Sequence, residues 1–187
     1  MHATINGKTL ALVQGDITQL AVDAIVTAAN SALAGGGGVD GAIHRAAGPS
    51  LLEACRALGG CPTGDAVATL PGDLPIKRVI HAVGPIYGEN DGRDDELLAG
   101  AHRRSLELAA AEGCASLAFP AISCGVYGFP VERAAGIALR TIRDHLLGDA
   151  ELRDVRYCLF GDSDRATFEG ALRALADEDP RVEITRS

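Results

Sequence analysis

The chain has 187 residues, 47% hydrophobic and 22% charged, which suits one compact unit over 1–187 that buries about 70% of its unfolded surface. A formal net charge of -8 argues against nonspecific binding to nucleic-acid backbones or membrane surfaces, because phosphates demand clustered Lys and Arg. No stretch approaches the ~18 apolar residues of a membrane helix and no basic-then-apolar leader opens the chain, so a cytoplasmic, monomeric protein is expected.

The apolar patterning predicts strands at 3–5, 9–13 and 23–28, then helices at 39–47 and 50–58. Strands follow at 66–70 and 78–83, a helix at 95–112, a strand at 115–119 and a helix at 131–147. The chain closes with a strand at 155–160, a helix at 164–177 capped by Ser163, and a strand at 182–185. Several strands are continuous apolar runs, the pattern of strands covered on both faces. An early strand pair ahead of the first helix adds antiparallel character. The fold class predicted is α/β: a three-layer α/β/α sandwich around a mixed central sheet.

Between the strand at 23–28 and the next helix stand Asn30, the run Gly35-Gly36-Gly37-Gly38 and then Val39-Asp40. Four consecutive glycines have no packing value and lose much backbone entropy on folding. Such a run suits a place where backbone amides approach a phosphate at a helix N-terminus. Asn30 and Asp40 frame it. On local grounds alone, Asn30 is equally a turn residue and Asp40 a first-turn acid. A second strand–loop–helix junction reads Ser123-Cys124-Gly125-Val126-Tyr127-Gly128-Phe129-Pro130, with Tyr127 and Phe129 also readable as packing residues. Two such loops at the carboxyl ends of strands in an open sheet form a crevice, where ligands bind in this architecture. Five cysteines without CxxC spacing read as unpaired thiols, and Cys55, Cys61 and His81 fit no standard metal site.

Four segments together resemble the macrodomain family, specifically the MacroD-like ADP-ribosyl hydrolases. They are Gly15-Asp16-Ile17-Thr18, Ala28-Ala29-Asn30 to Ala47-Gly48, Val79-Ile80-His81-Ala82-Val83-Gly84-Pro85, and Phe119 to Pro130. The resemblance implies the macrodomain fold and a crevice for ADP-ribose. Asp16 would accept from the adenine amino group beside the Ile17 amide, and Phe160 would pack on the adenine face. Gly37, Gly38 and Val39 would line one side of the diphosphate. Ser123, Gly125, Val126 and Tyr127 would line the other. Asn30 would hold the distal ribose and Asp40 would activate a water, with no metal and no cofactor. The local alternatives are that Asp16 caps a turn with Thr18 and that Phe160 is a core residue. His44 lies one helical turn after Asp40 and could touch it; His81 reads as structural.

The resemblance implies a hydrolase that removes mono-ADP-ribose from acidic side chains of ADP-ribosylated proteins, or acetyl from O-acetyl-ADP-ribose. The alternatives are a non-catalytic ADP-ribose reader and a phosphatase of ADP-ribose 1″-phosphate. Three positions depart from the family pattern. Thr27 stands where Asn is common, predicting a weaker loop brace. Cys124 stands where Thr is common, predicting a lost hydroxyl near the diphosphate. Gly161-Asp162-Ser163-Asp164 follows Phe160, predicting an altered adenine rim.

Overall fold

The structure, a computed structural model, describes residues 1–185. Its elements follow the predicted order: β1 His2–Ile5, β2 Lys8–Gln14, β3 Ala24–Ala28, α1 Gly38–Ala47, α2 Pro49–Leu58, β4 Ala66–Thr69, β5 Arg78–Ala82, α3 Asp94–Ala111, β6 Ser116–Phe119, α4 Val131–Leu146, β7 Asp154–Leu159, α5 Asp162–Glu178 and β8 Val182–Thr185. The strands form a mixed sheet in the order β4-β5-β3-β6-β7-β2-β1-β8. The five central strands β5, β3, β6, β7 and β2 run parallel, and β4, β1 and β8 add antiparallel edges.

Side chains alternate across this sheet as the pleat requires. Val26, Ile80, Phe119 and Tyr157 face a core filled by α3, α4 and α5. Ile25, Val79, Ala118 and Cys158 face the opposite way, against α1 and α2. Both faces are covered, which explains the unbroken apolar runs and makes the fold a three-layer α/β/α sandwich. On α4, Ala135, Ala138, Ile142 and Leu146 recur at helical spacing and are all buried, so this stripe is the packed face.

Four details refine the sequence reading, and Asp16 takes the capping place given there as its local alternative. A short 3-10 turn, Ile17–Gln19, follows β2 and is too brief to leave a periodic signal. Asp16 lies beyond the end of β2, as the N-cap of that turn. Ser163 is not the cap of α5. Gly161 holds that position, and Ser163 sits inside the first turn, its carbonyl accepting from Thr167 Oγ1. Phe160 lies one residue past β7 and is 90% exposed, so it is no core residue.

One polar pair is sealed inside the α3/α4/α5 core. His102 Nδ1 donates to the Leu98 carbonyl at 2.8 Å, which leaves Nε2 to accept from the Tyr157 hydroxyl at 3.0 Å. Burial pushes the His102 ring down to about 4. Between pH 6.5 and 4 the unfolded chain binds a proton on His102 that the folded chain does not. Stability is therefore lost as pH falls through that window, by at most about 1.4 kcal/mol per pH unit for this group. Urea unfolding followed from pH 7 to 4.5 should lose stability more steeply in the wild type than in His102→Gln. Equal slopes would mean that the buried ring does not carry this dependence.

Candidate active site

The ladder between β3 and β6 contains only two residue pairs, Ala24↔Leu117 and Ile25↔Ala118, whereas β3 and β5 pair over five. Beyond those pairs the strands part. The chain leaves β3 toward α1 on one face and leaves β6 toward α4 on the other. Divergence of this kind opens a crevice at the carboxyl ends of the strands. A cavity of about 520 Å³ fills it.

Every central strand delivers something to this edge: Gly84 after β5, Asn30 after β3, Ser123 after β6, Phe160 after β7 and Asp16 after β2. Gly37, Gly38, Val39 and Asp40 line one wall of the cavity; Ser123, Gly125, Val126 and Tyr127 line the other. Asp16, Ile17 and Phe160 do not line it and stand beyond it, at the ends of β2 and β7. From β3 to β2 is three inter-strand steps, about 14 Å, so a ligand touching both ends must be elongated. Among the described residues no Lys or Arg lines the cavity, and Asp40 is its one charged residue. An anion here meets backbone amides at the start of α1 and in the facing loop.

Asp40 is 5% exposed on the first turn of α1 and forms no helix cap. Its Oδ1 accepts from Thr27 Oγ1 at 2.8 Å, and His44 Nε2 lies 3.6 Å from the same oxygen. Beneath them, His44, Cys55 and His81 bring their donor atoms within 4.8 Å of one another. Cys61 is not in that group; its thiol donates to the Pro62 carbonyl. His81 Nε2 is paired with Thr69 Oγ1 at 2.9 Å, and burial pushes the ring down to about 4. Burial likewise raises the Cys55 thiol, so Cys55 and His81 form a polar but uncharged pair below the carboxylate.

Asn30 is already bonded at both ends. Nδ2 donates to the Gly35 carbonyl at 3.0 Å and Oδ1 accepts from the Ala34 amide at 3.1 Å. It braces the glycine loop itself, keeping one N–H and one lone pair for a ligand. Thr27 takes no part in that brace: its hydroxyl contacts Asp40 instead of the loop. Asp16 Oδ1 accepts both from the Thr18 amide at 2.9 Å and from Thr18 Oγ1 at 2.7 Å. These bonds hold its carboxyl below the usual range and leave Oδ2 open to accept from a ligand. The local capping reading and the ligand reading are thus compatible.

The loop after β6 closes on itself through Gly128 N to Gly125 O and Phe129 N to Ser123 O, with the Phe129 ring buried. Ser123 has φ +65°, a strained value for a residue with a Cβ, and its buried Oγ has no partner. Val126 is fully exposed at the loop tip. Cys124 does not line the cavity. It packs toward the α3/α4/α5 core, where burial pushes the thiol up to about 12, so it costs the crevice no hydroxyl.

Two glycines were passed over in the sequence. A Cβ on Gly84 would collide with Ser123 Oγ and Ile122 Cγ2. A Cβ on Gly41 would strike the Gly36 carbonyl, so Gly41 lets the glycine loop lie against α1. Glycine at a strand end, as at Gly84, was the available signal, but only the fold shows what lies opposite.

The Macro domain family model matches residues 26–138. An O-acetyl-ADP-ribose deacetylase of Escherichia fergusonii is 52% identical over 171 residues, covering 89% of this chain and 97% of that protein. An Oceanobacillus iheyensis macrodomain solved with ADP superposes with a TM-score of 0.92 at 42% identity, covering 96% of this chain and 97% of that one. A Trypanosoma brucei macrodomain in complex with ADP-ribose superposes at 0.81 and 41% identity, covering 87% and 68%.

Gly84→Ala should lower stability by about 1–3 kcal/mol through overpacking against Ser123. Adding Ser123→Ala, which removes the colliding hydroxyl, should restore part of it. A urea midpoint unmoved by Gly84→Ala would show that the loop yields freely.

Proposed function

The chain belongs to the Macro domain family, and from that premise we propose that it is a hydrolase that binds ADP-ribose along the crevice and cleaves groups attached to the distal ribose. The substrates are mono-ADP-ribose on acidic side chains of proteins and O-acetyl-ADP-ribose. The second is supported by the name of the Escherichia fergusonii relative. Binding is supported by the macrodomains solved with ADP and with ADP-ribose. The observation that carries the catalytic reading is Asp40, a buried carboxylate in the wall of a cavity with no cation. A module that only reads ADP-ribose has no need of a carboxylate there.

Adenine lies at the β2 and β7 end, its amino group donating to Asp16 Oδ2 and its face against Phe160. An aromatic this exposed gains its packing partner only when a ligand arrives. The diphosphate crosses the start of α1, taking N–H bonds from Gly37 to Val39 on one side and from the Ser123–Tyr127 loop on the other. The helix dipole adds to these bonds and offsets the negative field of the chain. The distal ribose reaches Asn30, whose spare N–H fixes a hydroxyl. Asp40 then orients and deprotonates a water that also touches the proximal phosphate, so the substrate assists its own hydrolysis. That water attacks the anomeric carbon and the side chain departs as its carboxylate, or it attacks the carbonyl carbon of an ester on another ribose hydroxyl and the freed ribose oxygen takes the proton that Asp40 accepted. General-base help of this kind is worth about 10²–10⁴-fold, and a buried carboxylate supplies it without a metal.

Asp16→Ala should weaken ADP-ribose binding about tenfold while the fold survives, since Asp16 is exposed at the rim. An unchanged dissociation constant in calorimetry would return Asp16 to its capping role alone.

Asp40→Ala should lower turnover about 10²-fold or more while ADP-ribose affinity changes little, because the contact with water is made chiefly in the transition state. Release of ADP-ribose from a glutamate-linked protein and of acetate from O-acetyl-ADP-ribose measures this. Wild-type protein that binds ADP-ribose yet releases nothing from either substrate would be a reader, and the hydrolase reading would fall.

A further inference from the structure

We propose that Thr27 is a positioning residue for Asp40: its hydroxyl pins one carboxylate oxygen so that the other is held toward the crevice. The inference rests on the reading of Asp40 as the group that activates water.

Thr27 is the fourth residue of β3 and has no solvent exposure. The strand's alternation turns it to the α1 face, opposite Val26. Its Oγ1 lies 2.8 Å from Asp40 Oδ1, and this is the one hydrogen bond that Asp40 makes through its side chain among the described residues. His44 Nε2 stands 3.6 Å from the same oxygen, beyond hydrogen-bond reach. The remaining polar groups below it, Cys55 and His81, are uncharged and turned to each other and to Thr69. Without Thr27, little would stop the carboxylate from rotating about its last bond.

The bond falls on Oδ1 alone. Oδ2 faces Gly36, where a Cβ would sit 3.8 Å away, so that oxygen opens on the glycine loop and keeps its lone pairs for water. A β-branched side chain suits the task, since its χ1 is stiff and the strand beneath it is tied into the sheet on the β5 side. Holding a reacting group in place before reaction removes rotational entropy from the barrier, and it acts on rate without touching ligand affinity.

A threonine that merely satisfies its own buried hydroxyl would stabilise the fold and leave catalysis alone, and a double-mutant cycle separates the two. With O-acetyl-ADP-ribose as substrate, Thr27→Val should lower kcat about tenfold and leave KM and ADP-ribose affinity within about twofold, while Thr27→Ser keeps most of the rate. In an Asp40→Ala background, Thr27→Val should bring no further loss, because the residue acts only through Asp40. ADP-ribose binding reports that each variant is folded, and Thr27→Ala carries the same cycle if the valine variant does not fold. A wild-type kcat in Thr27→Val overturns the proposal. So does an equal proportional loss in both backgrounds. Full turnover by Asp40→Ala would instead sink the reading of Asp40 on which the proposal stands, so the two failures are told apart.

Discussion

Strands β3 and β6 begin as neighbours in a parallel sheet and separate after two residue pairs, and the features of the crevice follow from that separation. The connections that leave them run to opposite faces of the sheet, so nothing fills the gap at their carboxyl ends. Both connections reach that gap as a loop followed by the first turn of a helix. Unpaired backbone amides therefore gather on both sides of one slot. The order of the parallel strands then sets the shape of what can bind. A carboxylate framed by Asn30 lies near one end, while Asp16 and an exposed aromatic ring stand beyond the other.

Charge and burial divide the work along this slot. The net charge is -8 and, among the described residues, no Lys or Arg stands on the cavity wall, so attraction for an anion comes from oriented dipoles that cost little reorganisation. Dipoles act only over short distances, which favours a ligand that lies directly on the loops over general capture of phosphates. At the other end, Cys55 and His81 beneath Asp40 are polar and, through burial, kept from adding charge. Asp40 is then the single charge in the wall, with Thr27 setting its direction.

The facing loop also stores strain at Ser123. Ser123 takes a left-handed backbone conformation, of order 1–3 kcal/mol unfavourable, and buries a hydroxyl without a protein partner. The buried Phe129 ring and the close approach of Gly84 hold the loop in that shape. A rigid loop with an unmet donor gains on binding what a relaxed loop would have spent on ordering.

The element order, the α/β class, the two glycine-bearing loops and the nearness of Asn30 and Asp40 to one of them were legible in the residues. Each is a local property: hydrophobic period, the cost of consecutive glycines, and motif spacing along the chain. Helix and strand ends came out within about two residues, as they do when caps are weak. What local pattern could not give was the partner of each side chain. Thr27 reads as a weakened loop brace where the family commonly has Asn, and only the packing of α1 onto β3 makes it the donor to Asp40. Cys124 reads as a crevice residue, and only the turn of its loop sends it to the core. Gly84 and Ser123 lie 39 positions apart in the chain, and their collision course exists because β5 and β6 flank β3 in the sheet. Sequence alone determined which segments form the slot, since that depends on neighbours in the chain. Tertiary structure decided which atoms face one another across it, since that depends on strand order and register, to which chain-local periodicity is blind.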